Sequence, residues 1–159
     1  MYRRLHDQGF SLLELVVVVL IIALVMAVSY PSISRGTNSI HMRTTARDIL
    51  NTFRYAREKA VTEQMGMQVA VSREKQQLVL STELGEGTRT YVLPRNVKIQ
   101  RMSLAGTEIE SGLLIVRFLP NGSAENAGLW LKSDNGTELR IVTDPITGGA
   151  RVVSGENAQ

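Results

Sequence analysis

Few side chains in this 159-residue sequence can do covalent chemistry, because it has no cysteine and only two histidines, His6 and His41. That excludes a disulfide, a thiolate metal site and a cysteine nucleophile, and it leaves no histidine cluster for metal binding or acid–base work. Asp134-Asn135-Gly136 has the opening of a calcium loop, but no glutamate closes the required spacing, so it reads as a turn. Asn121-Gly122-Ser123 and Asn135-Gly136-Thr137 fit the glycosylation acceptor pattern, which is too common to carry weight. No catalytic set, metal site or cofactor site is expected. The residue with unusual chemistry is Glu14. It stands in "GFSLLELVVVVLIIALVMAVSY", where only Ser11, Glu14 and Ser29 between Phe10 and Tyr30 are not apolar. In lipid such a carboxylate costs on the order of a few kcal/mol, so it points to a cationic partner or a functional position.

The run around Glu14 has the roughly 20 apolar residues a helix needs to cross a hydrocarbon core, and no polar face after Glu14. Three readings fit it. Arg3 and Arg4 with the aliphatic run have the form of a secretory signal peptide, with Ala27-Val28-Ser29 as a cleavage site, although the run is longer than usual and an acid precedes it. A plain membrane anchor would leave Glu14 hydrated near the interface. The third reading comes from the order Gly9-Phe10-Ser11-Leu12-Leu13-Glu14. It closely resembles the processing site of type IV prepilins and pseudopilins, where a short basic leader ends in glycine.

That resemblance implies that a membrane-embedded prepilin peptidase cuts after Gly9 and methylates the new amine of Phe10. Glu14 becomes the fifth residue of the mature chain, the acid position typical of the family. Cutting on the charged side leaves the helix in the membrane and creates an amine at the depth of the carboxylate. A neighbouring subunit then supplies the missing counter-ion, and Glu14 is half of an ion pair completed on assembly.

Charge is unevenly placed along the chain, whose formal net charge is +3. Between Pro31 and Lys59, six basic residues (Arg35, Arg43, Arg47, Arg54, Arg57, Lys59) face Asp48 and Glu58, a net of +4. From Ala60 onward ten basic residues meet eleven acidic ones, a net of −1. The basic stretch suits anionic lipid headgroups or nucleic acid, and reads more simply as a solvated helix face. Arg3, Arg4 and the initial amine on one side nearly balance Arg35, Arg43 and Arg47 on the other, so the positive-inside rule does not orient the span.

The elements follow from periodicity. Pro31 closes the apolar run, where it either kinks a continuing helix or breaks it, and Ser32 to Met42, with Gly36 and Asn38, is a weak helix former open to local unwinding. From Thr45 the apolar spacing is helical: Ile49, Phe53, Ala56 and Ala60, widened by Leu50 and Val61, with Arg47, Asp48, Arg54, Arg57 and Glu58 pointing elsewhere. Gly66 is expected to end this helix. Short strands follow at 67–72, 76–82, 89–93, 97–101, 113–119, 128–132, 138–143 and 150–153, separated by turns rich in Gly, Asn and Asp. "LWLKSDNGTELRIV" is the clearest hairpin. Trp130, between Leu129 and Leu131, is read as core packing. The fold class expected is α+β: a long N-terminal transmembrane and stem helix packed on an antiparallel β-sheet domain, an architecture that is pilin-like. The divisions are a leader at 1–9, a membrane helix at 10–30, a linker and amphipathic stem at 31–64 and a β-rich globular domain at 65–159.

Three later stretches, "TTARDILNTFRYAREKAVTEQMGMQVAV", "VRFLPNGSAENAGLWL" and "RIVTDPITGGARVV", resemble the pseudopilin H and related minor pilin group. In that group they are the helix-to-first-strand passage, a Phe-x-Pro-x-Gly segment and a terminal strand pair with a Thr-Gly turn, and Pro31 also falls at a family position. The resemblance implies a minor pseudopilin of a type II secretion system in the bacterial inner membrane. It is single-pass, with the leader cytoplasmic and the C-terminal domain periplasmic, and joins the tip region of the pseudopilus. Its implied partners are other minor and major pseudopilins, the prepilin peptidase and the inner-membrane secretion platform. The alternative is a minor pilin of a type IV pilus, priming a fibre or binding DNA. Nucleic acid is not expected as a partner, because Gly149-Ala150-Arg151 leaves one arginine where DNA-associated members end in Gly-Arg-x-Arg.

Overall fold

The structure is a computed structural model; it describes the backbone of residues 11–154 and the side chains of 11–26 and 40–153. Among the described residues one helix, α1 (Leu12–Glu63), precedes nine strands. These are β1 (Met67–Ser72), β2 (Gln77–Thr82), β3 (Arg89–Val92), β4 (Val97–Leu104), β5 (Thr107–Glu108), β6 (Leu113–Phe118), β7 (Ala127–Ser133), β8 (Glu138–Thr143) and β9 (Ala150–Ser154). The chain divides into two compact units between Thr37 and Asn38.

The first unit contains the N-terminal part of α1, where every described side chain from Ser11 to Met26 is exposed. Among the described residues no helix is long and apolar enough to cross a membrane. The described side chains here stop at Met26, four residues before the apolar run of the sequence ends at Tyr30. The helix assignment passes unbroken through Pro31 and the 32–42 stretch, so of the two readings of Pro31 the continuing helix holds and the local unwinding left open there does not occur. Weak formers flanked by helix on both sides only have to propagate it, and propagation fixes one residue per bond without a new nucleus.

In the second unit α1 buries Met42, Ala46, Ile49, Phe53, Ala56 and Ala60, a stripe alternating steps of four and three that begins about two turns before Ile49, the first stripe residue read from the sequence. Val61 is exposed and does not join it. The helix ends at Glu63, before Gly66. Gln64 takes the left-handed conformation (φ 53°), and the Met65 amide donates back to the Ala60 carbonyl at 3.2 Å, as in a Schellman motif. Gly66 serves a different need: a Cβ there would stand 2.3 Å from the carboxyl carbon of Glu83, whose own amide donates to the Gly66 carbonyl.

The strands are antiparallel, as expected, and form two sheets: β3-β2-β1-β6 and β5-β4-β7-β8-β9. Alternate residues of each supply the core, with Val69, Val71, Leu78, Leu80, Val116 and Phe118 from the first and Ile99, Met102, Leu129, Leu131 and Ile141 from the second. Phe53 of α1 meets Phe118 of β6 with ring centroids 5.8 Å apart and tilted by 50°. Gln76, beside β2, joins the sheets: its Oε1 accepts the Ile99 amide at 2.7 Å, and its Nε2 donates to the Ile99 carbonyl at 3.3 Å. The register of β4 on β7 shifts between Ile99 and Arg101, a bulge that turns Arg101 to the same side as Lys98.

Candidate assembly site

Gly9 and Phe10, the expected processing residues, lie outside the described residues. Glu14 lies in the first turn of α1, with its side chain exposed. Its amide donates to Ser11 Oγ at 3.2 Å, and the Leu15 amide donates to the Ser11 carbonyl at 3.2 Å, which makes Ser11 the N-cap. Ser11-Leu12-Leu13-Glu14 has the Ser-x-x-Glu spacing of a capping box, a signal legible in the sequence that the membrane reading passed over. The position suits an anion for a second reason, since free amides and the helix dipole favour negative charge in the first turn. Among the described residues no cation lies within ion-pair distance of Glu14; the ion pairs there are Lys59–Glu63, Arg117–Glu125 and Lys132–Glu138.

Around Glu14 the helix presents apolar side chains in every direction, from Leu12 at 84% exposure to Val18 at 43%. A patch of that size and continuity on a protein surface marks a face meant to be covered by lipid or by other subunits. A lone carboxylate within it is hydrated in water, and once covered it needs a cation.

The globular unit holds its loops against the stem through Arg57, which sequence periodicity had placed on the solvent side. Arg57 is half-buried, and its Nε donates to the Gly122 carbonyl at 3.2 Å. The Thr147-Gly148 turn closes over the same spot: a Cβ on Gly148 (φ 62°) would sit 2.2 Å from the Gly122 oxygen and 3.1 Å from Arg57 Cδ. The Ala124 amide donates to the Pro145 carbonyl at 3.2 Å and ties the two loops together. Three segments distant in sequence, "YAREK", "LPNGS" and "PITGG", thus meet at one arginine. Asp48 is likewise drawn in, accepting the Tyr91 hydroxyl at 3.0 Å. Burial and this carboxylate together push the Tyr91 pKa up to about 12.

Trp130 is not a core residue. Leu129 and Leu131 are buried, and Trp130 points to the opposite, outer face of β7, half-exposed. There it lies between Arg101 of β4 and Arg140 of β8, its partners in register on either side, with guanidinium carbons 4.9 and 4.5 Å from the ring. Gly128 makes room for the ring, because a Cβ there would be 2.9 Å from the indole edge. Two clefts also open on the described surface. One of about 510 Å3 is lined by Arg73, Lys98, Lys132 and Asp134 among others, and one of about 240 Å3 lies beside Tyr55, Arg89 and Tyr91. The first is also lined by Ser133, whose buried hydroxyl has no hydrogen-bond partner among the described residues that could act on it as a base.

The prokaryotic N-terminal methylation motif matches residues 4–30. No curated protein sequence matches the chain. Two solved structures of the minor pseudopilin EpsH from the type 2 secretion system of Vibrio cholerae share its fold. The first aligns with a TM-score of 0.61 at 12% identity, over 75% of this chain and 99% of that one. The second aligns with a TM-score of 0.59 at 11% identity, over 75% and 97%. The chain therefore joins a prepilin-type N-terminal motif to a pilin-like α+β fold.

Proposed function

From a chain that carries a prepilin-type methylation motif on a pilin-like fold, we propose a minor pseudopilin of a type II secretion system. In this reading the leader 1–9 is removed after Gly9, Phe10 becomes the methylated N-terminus, and 10–30 spans the inner membrane. The stem at 31–64 then carries the 65–159 domain in the periplasm. The mature subunit leaves the bilayer to join the tip region of a short fibre with other minor and major pseudopilins, driven by the inner-membrane secretion platform. The observation that carries the proposal is the exposed apolar arm Leu12–Met26 with one acid in its first turn. Lipid covers the arm before assembly and neighbouring helices cover it afterwards. Glu14 acquires its cation, the Phe10 amine of a neighbour, only in the second state.

Two variants in the native host separate the steps. Gly9→Val blocks cleavage, since a side chain obstructs the extended leader in the peptidase, and intact-mass measurement finds the uncut chain in the membrane. Glu14→Ala leaves insertion and cleavage normal, but cysteines engineered on adjacent subunits no longer cross-link, and exported proteins accumulate in the periplasm. Normal cross-linking and secretion in Glu14→Ala would reduce Glu14 to an interfacial acid that caps its helix. Loss of a surface fibre with secretion intact, in a strain lacking the chain, would place it in a type IV pilus.

A further inference from the structure

The outer face of the β5-β4-β7-β8-β9 sheet carries Lys98, Arg101, Lys132, Arg140 and Arg151 against two acids, Glu108 at the β5 edge and Glu138, a net of +3 on a domain whose sequence from Ala60 onward sums to −1. Glu138 is already bound to Lys132 Nζ at 2.8 Å, which holds its carboxyl below the usual range. The centre of the face is the row Arg101–Trp130–Arg140. Among the described residues neither guanidinium has a carboxylate partner, and Arg140 Nε is buried without an acceptor. Stacking on one indole fixes both guanidinium planes, so little side-chain entropy remains to be lost when an anion arrives.

We propose that this sheet face is a docking surface for an acidic, extended polypeptide segment, with Arg101 and Arg140 on either side of Trp130 as its anchors. Spacing supports a peptide: successive rows on the face lie two residues apart along β7 and β8, about 6.6 Å, which is also the repeat of same-side side chains on an extended chain, and the β4 bulge keeps Lys98 and Arg101 in step with those rows. Carboxylates on alternate residues of the segment then fall in step with the Arg101/Arg140 row and the flanking rows that hold Lys98 and Lys132 or Arg151. Fixed guanidinium planes favour two-pronged bonds to carboxylate. Single-stranded nucleic acid, the other polyanion such a face would attract, binds by stacking bases on open aromatic faces. Here the two neighbouring strands each lay a guanidinium against the indole. The proposal does not depend on the fibre assignment.

Trp130 is the only tryptophan, so its emission reports on the site directly. The full-length chain in detergent micelles is titrated with octaglutamate and, separately, with an octathymidylate of equal length. Octaglutamate shifts Trp130 emission, and its midpoint rises about tenfold or more as added salt shortens the screening length from roughly 30 Å to 8 Å. The double variant Arg101→Gln/Arg140→Gln weakens that midpoint at least tenfold, and Arg151→Gln, at an exposed position on the same face, weakens it less while leaving the Trp130 stack intact. A stronger response to octathymidylate than to octaglutamate overturns the proposal in favour of nucleic acid. An unchanged emission with both probes, or an octaglutamate midpoint the same in parent and both variants, overturns it outright.

Discussion

Tyr91 and Asp48 show how one polar contact couples stem to sheet. The hydroxyl is neutral in the folded state, where it donates to the carboxylate, and its pKa is raised from 10.0 to about 12. The unfolded chain loses this proton first, so the contribution to stability is complete below about pH 10 and disappears as pH rises toward 12. Denaturation midpoints from pH 9 to 12 should therefore fall more steeply for the parent than for Tyr91→Phe; parallel curves would show that the contact does not couple to folding. Gly148 tests close approach at the same scale. Gly148→Ala and Gly85→Ala both place a side chain at positive φ, yet Gly85 has open space around it, whereas at Gly148 the new methyl meets the Gly122 oxygen. Gly148→Ala should cost about 1–3 kcal/mol more than Gly85→Ala by urea denaturation. Neither Arg57 nor Asp48 was legible as a tertiary contact. Helical periodicity assigns a face by 100° steps, and both residues lie at its edge, where the neighbouring loop decides the burial.

At the scale of elements, alternation located eight of the nine strands within a few residues, because inward-facing side chains must recur every second position. β5 escaped it, since two residues cannot show a period. Alternation ends β4 at Arg101, because the bulge there turns two successive residues, Gln100 and Arg101, outward and breaks the pattern, although the strand continues to Leu104. The same rule, applied strictly, sends Trp130 away from Leu129 and Leu131; reading it as core would have required both faces of that sheet to be covered. The helix terminus offers a prediction. Gln64 in the left-handed region costs about 1–2 kcal/mol, partly offset by its side-chain bond to the Val61 carbonyl at 2.7 Å. Gln64→Gly should stabilise the domain by about 0.5–1 kcal/mol, read as a higher urea midpoint with an unchanged slope. A lower midpoint would show that the side-chain bond outweighs the strain.

For the whole molecule, the exposed aliphatic arm and the buried core make opposite demands on solvent. A chain beginning at Asn38 keeps the whole cluster from Met42 to Ile141 and loses Leu12–Met26. It should remain monomeric without detergent by sedimentation, while the full chain aggregates unless micelles are present. Aggregation of both to the same extent would move the sticky surface into the globular unit. Phe53→Ala in the shorter chain should cost about 3–5 kcal/mol, as expected for a fully buried aromatic packed on Phe118.

Residue order alone determined the N-terminal motif, the apolar run with its single acid, the amphipathic stem and the strand succession. Each is a local pattern whose period or spacing survives without knowledge of neighbours. The tertiary structure decided what no local pattern carries. It split the strands into two sheets, since pairing depends on which edges meet and not on where strands begin. It brought Arg57, Gly122 and Gly148 together across 65 and more residues. It also set Arg101, Trp130 and Arg140 side by side, because only strand register turns three separated residues into one row of a sheet face.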